Sequence, residues 1–92
     1  MSSRDLPQFT GKQGQYLAFI HAYTLINRLP PAEADLQRFF CVSAPSVHQM
    51  IVKLEQLGLI RRTPRQARSI VLLIPADRLP SLQPINTPVA RY

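Results

Sequence analysis

Four guanidinium groups, Arg61, Arg62, Arg65 and Arg68, fall within eight consecutive positions, and no carboxylate interrupts them. Such a run attracts phosphates, although taken alone it fits equally a solvated hairpin that carries arginine for solubility. What precedes it shifts the balance. In Pro45–Leu57, Val47, Met50, Ile51, Leu54 and Leu57 recur at the three- and four-residue spacings that stack side chains on one helix face. At about 100° per residue, Ser46, Gln49, Lys53 and Gln56 collect on the opposite face, with Pro45, His48 and Val52 at its margins. Glu55 is the one acid in the stretch. A glutamine on such a face can pair with adenine N6 and N7, and serine and histidine offer less exclusive donors and acceptors to base edges. No arginine stands on that face, so the strongest guanine reader is missing.

Gly58 follows the last apolar position, where a left-handed cap suits glycine, and so ends this helix near Leu57. Leu59–Arg62 then reads as a strand, Thr63–Ala67 with Pro64 as a turn, and Ser69–Ile74 as the returning strand. Arg61 and Arg62 alternate across the first strand, which leaves one of them available to stabilise the hairpin instead of meeting a ligand.

Upstream, residues 1–9 form a polar arm, and Thr10 caps a first helix that runs to about Asn27. Its stripe is Tyr16, Phe19, Ile20, Tyr23 and Ile26. Tyrosines at this spacing indicate core in preference to a base-stacking platform, and His21, off the stripe, is expected in solvent. Pro30 and Pro31 end the helix. Ala32–Phe40 reads as a short helix with Glu33 and Asp35 as first-turn charges and with Leu36, Phe39 and Phe40 facing the core. Cys41–Ala44 turns into Pro45, with Ser43 or Ala44 as the cap. After Ile74, four prolines in a stretch without helical period mark residues 75–92 as an extended tail. It reads either as a solvated terminus or as a strap that packs Leu79, Leu82, Ile85 and Val89 on the domain or on a second copy. The layout is an arm (1–9), one domain (10–74) and a tail (75–92).

Ninety-two residues suffice for a single modest core. A formal charge of +6 favours polyanionic partners, nucleic acid first and acidic headgroups second. The lone Cys41 has no partner for an internal disulfide, no run is long and apolar enough for a membrane span, and the first residues lack a signal-peptide pattern. The expectation is a soluble, cytoplasmic, nucleoid-associated chain. Two histidines, one cysteine and three glycines present no paired carboxylates, metal-ligand spacing or phosphate loop, so neither enzyme activity nor a metal or cofactor is expected.

Helix, short helix, turn, helix and hairpin in this order make a mainly α chain with a small β-hairpin, a three-helix winged helix-turn-helix. The runs LPPAEADLQRFF and SVHQMIVKLEQLGLIRRTPRQARSIVLL resemble the amino-terminal DNA-binding domain of LexA-type SOS repressors. The matching positions are Leu29, Pro30 and Pro31, then Val47 and His48, then Gly58–Arg62, and the similarity extends from about Phe9 to Ile74. The resemblance implies a third helix in the major groove, with Ser46, His48 and Gln49 on bases and Arg65, Gln66 and Arg68 on phosphates. Three departures accompany it. Ala32 stands where the family has a serine or threonine cap, and Cys41 where it has a turn glycine, in a loop one residue shorter. The chain also ends where the family's self-cleaving and dimerising domain would begin.

The expected function is double-stranded DNA binding by a repressor-like transcriptional regulator. Ser46, His48 and Gln49 would meet bases, and Lys53, Arg61, Arg62, Arg65, Gln66 and Arg68 the backbone. A domain this small calls for a homodimer on a two-fold site or for a recruiting protein. The alternative is a winged-helix protein-interaction module, or an accessory to replication or to a mobile element.

Overall fold

The computed structural model describes residues 8–84; most of the expected arm, and Ile85 and Val89 of the tail, lie outside them. Helix α1 spans Gly11–Asn27, α2 spans Glu33–Phe40 and α3 spans Ala44–Gln56. Strands β1 (Ile60–Arg61) and β2 (Val71–Leu72) pair antiparallel, and a 3-10 turn covers Ala76–Arg78. This is a three-helix winged helix-turn-helix.

Local chemistry sets the helix limits. Thr10 Oγ1 accepts from the Gln13 N–H at 3.1 Å, while Gln13 Oε1 accepts from the Thr10 N–H at 2.9 Å, so two amides that a helix start leaves unpaired are satisfied reciprocally. At the far end Arg28 adopts the left-handed conformation (φ 63°), one residue before the link to the proline pair. The missing cap side chain at Ala32 is offset from within α2, because Asp35 Oδ2 accepts from the Ala32 N–H at 2.8 Å. Ser43, one of the two expected caps, starts α3 by accepting from the Ser46 N–H at 3.3 Å.

Cys41 also sits in the left-handed region, at φ 56°, as the cap of α2. Side chains other than glycine are strained there by about 1 kcal/mol or more. We expect Cys41→Gly to raise stability by about 0.5–1 kcal/mol after the added chain entropy of glycine is subtracted. Urea unfolding of both proteins measures it, and a loss of stability would show that the cysteine side chain contributes packing that outweighs the strain.

The core gathers Tyr16, Leu17 and Ile20 of α1, Leu36 of α2, and Val47, Ile51 and Leu54 of α3, closed below by Leu59, Ile60 and Ile70. The aromatic stripe is packed as expected. Tyr16 stacks on Phe40 with ring centroids 4.2 Å apart, and Phe19 lies 4.7 Å from Phe39. Burial pushes the Tyr16 hydroxyl pKa up.

Two expectations need correction. Ile26, placed on the stripe, is 76% exposed, whereas Leu17, left off it, is fully buried. With 17 residues α1 is about 26 Å long, and its burial stops short of its end: residues 24–27 are all exposed, and an open cleft separates this last turn from β2. The strands are also shorter than the runs 59–62 and 69–74 suggest. Ser69 Oγ accepts from the Thr63 N–H at 2.9 Å and lies 2.9 Å from the Gln66 carbonyl, so a side chain takes the place of further ladder bonds. Of the two readings of the tail, the strap holds as far as residue 84. Leu79 and Leu82 pack on the core, and Gln15 of α1 grips it through the Ser81 carbonyl at 3.0 Å and the Gln83 N–H at 2.7 Å. Gly14 permits this close approach, since a Cβ there would stand 2.9 Å from Phe9 and 3.0 Å from Pro80. Phe9 and the strap thus cover α1 at Gly14 and Gln15, off the aromatic stripe, and Leu17 joins the core cluster.

Candidate nucleic-acid interface

The outward side of α3 carries Ser46, Gln49, Lys53 and Gln56, all exposed. Val47, Ile51 and Leu54 anchor the opposite side with no measurable exposure, so the rotation of the helix about its axis is set by burial. Ser46 is partly engaged, its Oγ lying 3.0 Å from the Ser43 Oγ within the cap. Gln49 and Lys53 make no hydrogen bond or ion pair with another described side chain, which leaves both amide ends of Gln49 available to a base edge.

His48 is set apart from these residues, on the edge of α3 that faces α2. Its Nδ1 lies 3.3 Å from both carboxylate oxygens of Glu33. Arg62 approaches the same edge, donating from Nε to Glu55 at 2.9 Å and from Nη1 to Glu33 at 3.5 Å. Glu33, expected only as a helix-start charge, therefore joins α2 to α3 and to the hairpin. Arg62 is only 27% exposed and serves as a clasp between elements.

Arg68 is held more firmly still. Its Nη1 lies 2.9 Å from Asp35 Oδ2, 3.0 Å from the Tyr23 hydroxyl and 3.2 Å from the Pro30 carbonyl. Asp35 is the one buried charged residue among those described, and Arg38 pairs with its other oxygen. Burial alone would raise the Asp35 carboxyl. The Ala32 N–H, the adjacent Arg68 and then Arg38 outweigh it and hold the pKa below the ordinary carboxylate value. The Arg68 guanidinium is shifted upward, chiefly by the Tyr23 hydroxyl and further by Asp35, against a desolvation that works the other way.

The four arginines thus divide into two pairs. Arg62 and Arg68 pair with acids of the domain, although Arg68 remains partly exposed, whereas Arg61 and Arg65 are exposed and form no ion pair among the described residues. Arg65 stands at the turn in a left-handed conformation (φ 64°) beside exposed Gln66. The alternation of Arg61 and Arg62 across the strand accounts for the first division. Nothing in the spacing of Arg68 revealed its acid, which lies 33 positions away.

One contributor went unrecognised in the sequence. The start of α1 lies beside α3, so that Lys12 and Gln13 border a shallow cleft of about 300 Å³ with Ser46, Gln49, Met50 and Lys53. Lys12 is exposed, and with Lys53 it supplies two ammonium groups beside the polar face. Its position just after the Thr10 cap could be read from the sequence, but the docking of that helix end against α3 could not.

Among the described residues no cluster of three or more His, Cys, Asp or Glu side chains is placed to hold a metal ion. No described helix is long and apolar enough to cross a membrane. No protein-family model matches the chain.

Proposed function

We propose that the domain binds double-stranded DNA as a repressor-like transcriptional regulator, with α3 in the major groove. The observation that carries this reading is the exposed face of α3, polar and free of acids, which includes Lys53, is bordered by Lys12 and is set in a domain whose hairpin presents Arg61 and Arg65. A helix of this diameter fits the major groove, where donors and acceptors distinguish all four base pairs. Gln49 is the principal base reader, with Ser46 beside it. His48 reaches a base only from the margin, because Glu33 orients its ring. Lys12, Lys53, Arg61 and Arg65 neutralise phosphates and release counterions, with Gln66 as a neutral donor at the wing. Arg62 and Arg68 shape the wing and leave phosphate contact to the others. The similarity to LexA-type repressor domains supports the same placement.

Selection from a randomised duplex pool at low and physiological salt, followed by sequencing, tests the proposal. An enriched motif establishes a site-specific regulator, and a two-fold motif adds a homodimer. Salt-sensitive retention without enrichment points to architectural or partner-directed DNA binding, and no retention at all leaves the protein-interaction module. Gln49→Ala is expected to preserve the melting temperature while reducing discrimination at one base pair by about 1–3 kcal/mol. An unchanged selected motif would remove Gln49 from the interface.

A further inference from the structure

The large hydrophobic side chains that stand exposed among the described residues are Leu25, Ile26, Leu29, Val71 and Leu73. They are not scattered. All belong to the last turn of α1, the link after it, and β2 with its next residue. Between these segments lies an open cleft of about 580 Å³, walled by Ile20 and Leu25 on one side and by Ile70–Leu72 on the other. No residue of α3 lines it, so it is separate from the polar face assigned to DNA.

The backbone on this side is unpaired as well. Arg61 faces Val71, Ile60 faces Leu72, and the Leu73 N–H donates to the Leu59 carbonyl at 2.9 Å. In an antiparallel ladder bonded and non-bonded pairs alternate, so Ile60–Leu72 is a non-bonded pair, and the N–H and C=O of Leu72 point away from β1. No described group bonds to them. Pro30 borders the same cleft and Pro31 follows it, and neither has an N–H to complete a ladder.

We propose that this cleft receives an extended, apolar segment of a partner protein that carries a carboxylate, added as a third strand along β2. The free edge calls for a strand, which would gain main-chain bonds to Leu72 and place alternate side chains between Leu25 and Val71. The charge calls for an acid. Among the described residues His21 and Arg28 are the only ionisable groups that line the cleft, and Arg28 forms no ion pair with any of them. A second copy is the poorer occupant, because two-fold pairing of β2 with its equivalent sets the same cationic lining against itself.

The test begins with a displayed pool of random peptides selected on the full chain. Amide signals are then recorded during titration with the enriched peptides, and with versions whose acids are replaced by lysine. Enriched peptides should alternate apolar residues and carry Asp or Glu. The amides of Ile70, Leu72 and Leu25 should shift, and the Leu72 N–H should gain protection from exchange. Lysine versions should bind at least about tenfold more weakly, and Arg28→Glu, at an exposed position, should reverse that preference. The proposal is overturned by an absence of enrichment, by indifference to charge, by shifts confined to α3, or by concentration-dependent shifts at Leu72 without peptide, which would identify a second copy as the occupant.

Discussion

Asp35→Ala is expected to lower the stability of the domain by about 2–4 kcal/mol, through the lost cap of α2 and the lost charge-assisted bonds. For a chain of this size that is a fall of roughly 10–20 °C in melting temperature. Asp35 is 7% exposed and joins three parts of the fold through the Ala32 N–H, Arg38 and Arg68. Alanine leaves the Ala32 N–H unpaired and releases Arg68 from the hairpin end of the contact. Asp35→Asn keeps an acceptor for that N–H and should lose less.

The pH dependence has a definite sign. Because the folded-state carboxyl lies below its ordinary value, its contribution is complete above about pH 4 and disappears as the pH falls through the folded-state pKa. Thermal melts between neutral pH and about pH 2 should therefore show a loss below about pH 4 in the wild type that is reduced in Asp35→Asn. Parallel curves for the two proteins would mean that another group governs acid stability.

The second large effect concerns DNA. Replacing Lys12, Lys53, Arg61 and Arg65 together by alanine should reduce affinity for any duplex by about 100- to 1,000-fold near 0.1 M salt. The slope of log K against log salt should fall by about 3–4, close to 0.9 for each phosphate contact. All four side chains are exposed and form no ion pair among the described residues, so the variant should melt near the wild-type temperature. Arg62→Ala is the informative comparison. It breaks the contacts to Glu55 and Glu33 and should destabilise the hairpin while leaving the salt slope nearly intact. A slope that falls for Arg62→Ala but not for the fourfold variant would reverse the assignment of structural and phosphate-facing arginines.

The division between sequence and tertiary structure follows from the range of the interactions involved. The limits of α1, the Ser43 cap, the glycine stop at Gly58 and the phase of α3 depend on groups a few positions apart. Thr10 and Gln13 satisfy each other across three residues, and Val47, Ile51 and Leu54 repeat at helical spacing, so the polar face of α3 could be read directly. The charge of the hairpin was legible for the same reason. Its use was not, because a guanidinium looks the same in a sequence whether it meets solvent or a carboxylate 33 residues away. Only packing shows that Arg62 and Arg68 clasp the helices while Arg61 and Arg65 face outward. The same holds for Lys12, brought beside the polar face of α3 by the docking of α1, and for the tail, whose prolines suggest an extended path but not the groove that Gln15 and Gly14 provide. Ile26 fits the periodic pattern of the buried face, yet it is exposed, since periodicity specifies a direction around the helix and only the neighbouring elements decide how far along it the core extends.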